Sequence, residues 1–168
     1  AISAGVLVNE LRDHDLAAQR LRELVEGETR LVVAWHESSP NWDPGAIELS
    51  LGRGAGRIVL DGEKTLVPDL IGADWILVVL KDEGELAVAA VPTSAHGIEV
   101  TATPGIDKTR PLGRVTFRGV DVSEGNILAR GEAAERAIER FARVGAVMAS
   151  ADMVGGMQWI CLLYTSDA

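Results

Sequence analysis

The residues whose types could support chemistry begin at the end of a short apolar run. Residues 31–35 are rich in types that favour β-strands, and His36 and Glu37 follow directly after Trp35. Ligand-binding side chains are concentrated where strands give way to loops. The segment therefore has two interpretations: a strand end that faces a ligand, or an edge strand in which Trp35 packs and His36 is solvated.

Ser38 and Ser39 lie close to His36, as a serine nucleophile and a histidine base would. An α/β-type serine hydrolase carries its nucleophile in a Gly-x-Ser-x-Gly turn, and the sequence has no such motif. Adjacent residues of one strand also point to opposite faces. The sequence therefore does not predict a serine hydrolase.

Two other segments have residue types that suggest ligand binding. Residues 52–57 are rich in glycine, but Arg57 stands where a dinucleotide-binding loop has glycine, and a strand rather than a helix follows. We interpret them as a hairpin turn. Residues 107–110 read Asp-Lys-Thr-Arg and are interpreted as a solvated turn with an exposed ion pair.

Metal binding is not predicted. Cys161 is the only cysteine, which excludes an internal disulfide framework and a cysteine-based zinc site and fits a reducing compartment such as the cytoplasm. His14, His36 and His96 lie far apart, and none has a second ligand at metal-site spacing.

Length and charge limit the remaining function classes. The chain has 168 residues, enough for one domain with one core, and its net charge of −9 repels nucleic acid. An anionic cofactor would have to be held by local donors such as backbone N–H groups, helix ends or single arginines. The sequence begins without an initiator methionine or a basic leader, so we expect no signal peptide and a truncated start.

The spacing of apolar residues changes along the chain. Residues 1–12 and 15–27 have helical spacing, and the second helix is expected to begin at an Asp15 N-cap and to end at Gly27. From residue 30 to residue 128, short apolar or alternating runs separated by turns predict strands, with a hairpin turn at Asp61-Gly62. The fold class is α+β by content, with an antiparallel β-barrel or sandwich flanked by α-helical segments. A parallel doubly wound sheet is not expected.

A third helix is predicted after Gly131. Its expected inward stripe is Ala133, Ala137, Phe141, Val144 and Met148. Residues 144–163 are about as long as a membrane span, but Asp152, Gln158 and three glycines interrupt them, which favours a buried bundle helix over a membrane span. Residues 161–168 resemble read-through of vector sequence more than native protein.

Several segments, in order, resemble the acyl-CoA dehydrogenases. Residues 16–28 resemble the last N-terminal helix of that family and its Gly-Glu pair, and residues 32–43 lie where the family has Thr-Glu-Pro and Gly-Ser-Asp. Residues 60–79 resemble its Gly-x-Lys hairpin and the strand that follows. Residues 105–128 resemble its return strands, and residues 139–158 its first bundle helix. The resemblance covers about residues 10–160.

The resemblance implies a domain organisation and an activity. It assigns residues 1–28 to the end of an N-terminal helical domain, 29–130 to a middle β domain, 131–160 to a truncated first bundle helix, and 161–168 to a non-native tail. The family uses FAD to dehydrogenate an acyl-CoA thioester between its α and β carbons, and its members are oligomers. The catalytic base of the family lies further along the bundle, outside this chain, so no catalytic residue is assigned.

The resemblance also suggests which residues contact the cofactor. They are Trp35, His36, Trp42, Leu66, Val67 and Pro68. His36 stands where the family has threonine, Ser38 where it has proline, and Trp42 where a serine often meets FAD. Leu66-Val67-Pro68 replaces a Trp-Ile-Thr/Ser triplet, so the aromatic face and the donors of the last residue are absent.

These departures leave several functions open. The first is a fragment of a flavin-dependent acyl-CoA dehydrogenase of fatty acid metabolism. The second is a non-catalytic partner subunit of a heteromeric dehydrogenase, suggested by Leu66 and Pro68. The third is a flavin monooxygenase of the same fold, and the fourth is a β-barrel binding module unrelated to flavin.

Overall fold

The computed structural model describes residues 2–38, 41–54 and 56–166. Within these residues, two short 3₁₀ turns, at Pro44–Ala46 and Glu124–Asn126, accompany three helices and eight strands. In chain order these are α1 (Ile2–Glu10), α2 (Asp15–Glu26), β1 (Leu31–Ala34), β2 (Leu51–Gly54), β3 (Arg57–Pro68), β4 (Trp75–Asp82), β5 (Glu85–Pro92), β6 (Ile98–Thr103), β7 (Leu112–Asp121), β8 (Ile127–Arg130) and α3 (Gly131–Ser166).

Helix α2 ends as predicted but begins differently. Gly27 has a left-handed backbone with φ of 76°, and its N–H reaches the carbonyls of Glu23 and Leu24. The N-cap is His14 rather than Asp15. His14 is extended, and its Nδ1 accepts a hydrogen bond of 3.3 Å from the Leu16 N–H. The imidazole thus performs the role expected of the carboxylate.

The strands form a sandwich of two four-stranded sheets rather than a closed barrel. The first sheet has the order β1-β4-β5-β8, and the second has the order β2-β3-β7-β6. An isolated bridge between Ser50 and Lys81 links the two sheets along one edge. Of the two architectures that the strand pattern predicts, the sandwich is therefore the one observed.

Both faces of the first sheet are buried, which explains the uninterrupted apolar runs of its strands. Alternate residues of β4, such as Ile76 and Val78, face the second sheet, whereas Leu77 and Val79 face the helices. The second sheet is covered on one side only, so β7 alternates between buried residues and more accessible ones. The molecule has three layers: helices, first sheet, second sheet.

One strand pair departs from the antiparallel prediction. Strands β1 and β4 run parallel, with Leu31 opposite Trp75 and Ala34 opposite Val78. Between them the chain crosses into the second sheet, forms β2 and β3 there, and returns. Such a long crossover allows two strands of one sheet to run in the same direction.

The predicted hairpin at Asp61-Gly62 is wrong. Strand β3 continues through both residues, and its pairing with β7 shifts register between Leu60 and Gly62. Gly62 has φ of 138°, and a Cβ there would lie 2.5 Å from Cδ1 of Leu49. The glycine therefore serves a close side-chain approach opposite a β-bulge in β7, not a turn.

Helix α3 is buried only near its start. Ala134, Ala137 and Ile138 are buried against the first sheet and α1, whereas the predicted inward residues Ala133 and Met148 are exposed. From residue 146 to residue 165 every residue is exposed, and the helix continues through the suspected tail. Within the described residues, α3 is long and apolar enough to cross a membrane by length and composition.

Candidate functional site

Trp35 lies just beyond β1 and packs inside the protein. Its side chain is only 3% exposed, and its indole N–H donates to the carbonyl of Asn41 over 3.0 Å. Its ring stacks on Phe141 of α3 with 5.9 Å between centroids. Of the two interpretations of this segment, the one in which the Trp35 side chain packs inside the protein is therefore correct for that residue.

His36 and Trp42 form a contact at the surface beside Trp35. Their ring centroids are 4.4 Å apart with the planes almost perpendicular, and Trp42 is 66% exposed. The Nδ1 atom of His36 is buried and makes no hydrogen bond. Burial lowers the pKa of His36, the nearby Asn41 backbone opposes this, and the charge of Lys64 lowers the pKa further. The lowered pKa favours the neutral form of the His36 imidazole.

Two successive residues of β3 hold the backbone on both sides of His36. The ammonium of Lys64 donates to the Trp35 carbonyl over 2.9 Å and to a Glu37 carboxylate oxygen over 2.7 Å. The Thr65 N–H donates to the His36 carbonyl and its hydroxyl to the Glu37 carbonyl, both over 2.7 Å. The end of β1 is thus fixed to β3 at three consecutive residues.

Glu37 completes this arrangement. Besides Lys64, its carboxylate accepts the N–H groups of Glu48 over 3.0 Å and Leu49 over 3.0 Å. Burial alone would raise the pKa of Glu37, but these hydrogen bonds outweigh burial and lower it. Burial lowers the pKa of Lys64, and its contact with Glu37 offsets this in part. The carboxylate thus accepts hydrogen bonds from three donors, which favours its charged form.

The role of Lys64 was not predicted from the sequence, where it is one residue of the Gly-x-Lys segment. Its side chain is completely buried. The alternation of β3 carried a signal, because Leu60, Gly62 and Lys64 lie on one face of an extended strand and Leu60 is an apolar residue. A lysine in an inward position needs a buried partner, but the alternation does not say that the partner is Glu37.

The second predicted cofactor segment follows Lys64 and Thr65 directly. Pairing with β7 shifts register between Lys64 and Val67, and Leu66 has a positive φ of 51° at this bulge. Val67 points into the core between the sheets, whereas Pro68 is exposed at the end of β3. The structure therefore brings the segments around His36 and Leu66 together. The Val67 side chain, however, is buried in the core between the sheets.

A separate cleft lies away from these segments. It has a volume of about 770 Å³ and lies between the 43–45 loop, the β4–β5 turn and the start of α3, with Glu85, Glu132 and Glu139 in its walls. No predicted cofactor residue lines it. In the described ranges, no group of three or more His, Cys, Asp or Glu residues could hold a metal ion.

Comparison of sequences finds no relative, whereas comparison of folds does. No protein-family model and no curated protein matches the sequence. A glutaryl-CoA dehydrogenase from Mycobacterium smegmatis in complex with FADH2 matches with a TM-score of 0.73 and 16% identity, over 85% of this chain and 39% of its own. A glutaryl-CoA dehydrogenase bound to glutaryl-CoA matches with a TM-score of 0.70 and 19% identity, over 81% and 38%. The chain has the acyl-CoA dehydrogenase fold.

A third structure with this fold is a two-component complex. The ChsE4–ChsE5 complex from Mycobacterium tuberculosis matches with a TM-score of 0.60 and 18% identity, over 69% of this chain and 32% of its own. The chain thus spans well under half the length of these acyl-CoA dehydrogenase-fold structures. The two helical segments and the sandwich between them are the part of the fold that is present.

Proposed function

We propose that the chain is the central portion of a flavin-dependent acyl-CoA dehydrogenase, which removes hydrogen from the α and β carbons of an acyl-CoA thioester. The observation that carries this proposal is the fold match over 85% of the chain at a TM-score of 0.73. The ordered sequence segments support it independently.

The residues around His36 fit a flat aromatic cofactor such as FAD. The exposed Trp42 indole offers apolar ring surface, and His36 offers a buried Nδ1 that lacks a hydrogen-bond partner. A neutral imidazole can donate from one ring nitrogen and accept at the other. FAD, when bound, would accept the hydride that leaves the β carbon.

The second cofactor segment offers less. Leu66 supplies apolar contact, while Pro68 has no N–H or hydroxyl to donate. We propose that the cofactor is bordered by Trp35, His36, Trp42, Leu66, Val67 and Pro68. The side chains of Trp35 and Val67 are buried, Trp35 between the first sheet and the helices and Val67 between the two sheets, and they support the adjacent residues that contact the cofactor. The carboxylate that removes the α-proton is assigned to the part of the fold outside this chain.

A non-catalytic partner subunit is the second candidate. The loss of donors at Pro68 favours it, because an unpaired buried acceptor on the ligand weakens binding. The two-component ChsE4–ChsE5 complex shares this fold. We propose assembly into a homo- or hetero-oligomer in the cytoplasm, with the exposed half of α3 packed in a helical bundle and a role in fatty acid metabolism.

The test is turnover by the longer protein that contains this chain. Dye-linked oxidation of saturated acyl-CoA thioesters by that protein alone is the expected result. Activity that requires a co-purifying second chain would assign the partner role instead. A folded protein that oxidises no acyl-CoA, alone or with partners, would contradict both.

A further inference from the structure

We propose that Lys64 is a positioning residue: with Glu37 and Thr65 it fixes the backbone that presents His36 and ties it to the bulge at Leu66. This inference rests on the proposed function in so far as His36 faces the cofactor. Lys64, Glu37 and Thr65 are not among the residues proposed to border the cofactor.

The first support is the pattern of bonds. Lys64 binds the residues on either side of His36, and Thr65 binds His36 itself through its backbone. The same two residues open the bulge that gives Leu66 its positive φ. The segments that carry His36 and Leu66 are therefore bonded to each other through Lys64 and Thr65.

The second support is that the groups around His36 are hydrogen-bonded while its own Nδ1 is not. Among the described residues, only two buried side-chain atoms have no hydrogen-bond partner, Nε of Arg20 and Nδ1 of His36. The polar groups that flank His36 are satisfied, from the carbonyls of residues 35–37 to the Glu37 carboxylate. An unpaired buried nitrogen inside a well-bonded frame is suited to meet a ligand.

The third support is the nature of the pair. Burying an ammonium and a carboxylate is unfavourable unless each is well bonded, and apolar residues often fill such a space with equal or greater stability. Packing alone would not require Lys64 to be charged. The charged ammonium requires hydrogen-bond acceptors at fixed positions. Those acceptors, the Trp35 carbonyl and the Glu37 carboxylate, lie on either side of His36.

The test uses the full chain with labelled histidine, because only three histidines give signals. The variants are Lys64→Met, which removes the charge at similar size, and Thr65→Val, which removes only the hydroxyl bond. Val91→Ala is the matched control, since Val91 is 2% exposed in the sandwich core and pairs with Ile76 on β4. His36→Gln assigns the His36 signals.

The readouts are the NMR cross-peaks between the His36 ring and the Trp42 indole, and the pKa of His36. We expect Lys64→Met to weaken the cross-peaks several-fold and to raise the His36 pKa, because the neighbouring positive charge is removed. Thr65→Val should weaken the cross-peaks less, and Val91→Ala should lower thermal stability without altering either readout.

Unchanged His36 signals in a folded Lys64→Met variant would overturn the proposal. If that variant does not fold, unchanged cross-peaks in Thr65→Val would overturn it instead. Addition of FAD separates the two proposals. If the His36 signals of the wild type do not change when FAD is added, the cofactor assignment fails. The comparison of variants without FAD still decides the role of Lys64.

Discussion

Asp82 is a fully buried carboxylate that joins the two sheets through arginines. Arg53 of β2 contacts both of its oxygens, at 2.8 Å and 2.7 Å, and Arg130 of β8 contacts one at 2.6 Å. The hydrogen bond from Arg53, followed by those from Arg130, lowers the pKa of Asp82 to about 2 against the opposing effect of burial. Because Arg53 lies in β2 and Asp82 in β4, this bidentate pairing links the two sheets.

The lowered pKa predicts how stability depends on pH. The unfolded carboxyl has a pKa of about 3.9, so the folded form binds its proton less readily than the unfolded form. The stabilisation is therefore present above about pH 4 and is lost as the pH falls toward 2. We expect the free energy of unfolding of wild type, minus that of Asp82→Asn, to shrink by up to about 2 kcal/mol over that range. Denaturant titrations at several pH values measure it, and a pH-independent difference would contradict it.

Gly97 occupies a position where the backbone leaves no room for a side chain. Its φ is 89°, and a Cβ there would lie 2.3 Å from the backbone oxygen of Arg118. Gly97→Ala should cost about 1–3 kcal/mol in the free energy of unfolding, because backbone atoms must move. Gly54→Ala is the control, since nothing lies within 4 Å of a Cβ there. Equal stability losses would refute the prediction.

Residue types alone predicted some of the site and not the rest. His36 and Glu37 stand out because they follow a strand-forming run, whereas the turn predicted at Asp61-Gly62 concealed the inward position of Lys64 on a continuous strand. Their partnership joins residues 27 positions apart. It depends on how the two sheets stack, which no local pattern contains.

Helix α3 has two halves with different environments. Ile138 is fully buried against the first sheet and the N-terminal helices, whereas Ile160 is 53% exposed on the same helix. Sequence periodicity predicted the helix and placed Ala137 and Phe141 inward, but it placed Ala133 on the wrong side. Small residues occur all around this helix, so periodicity defines its buried face poorly.

This contrast gives a prediction within one element. Ile138→Ala should lower the free energy of unfolding by about 2–5 kcal/mol, because it leaves a cavity. Ile160→Ala makes the same chemical change at an exposed position and should alter it by less than about 0.5 kcal/mol. Chemical denaturation of both variants provides the measurement, and similar losses would mean that the second half of α3 is packed.

At the scale of the whole molecule, the three layers explain why the site lies where it does. Apolar runs predicted β1, β4 and β5 of the first sheet, and alternation predicted β2, β6 and β7 of the second. The parallel pairing of β1 with β4 was not predictable, because it depends on the path of residues 35–74 through the other sheet. That same path brings β3 against the end of β1 and so assembles the segments around His36.

Flavin reduction by substrate tests the proposed acyl-CoA dehydrogenase function. The longer protein that contains this chain is purified, its visible absorption is recorded, and an acyl-CoA is added without oxygen. We expect a flavin spectrum that is bleached by the acyl-CoA. A well-folded, colourless protein that does not take up added FAD would contradict it.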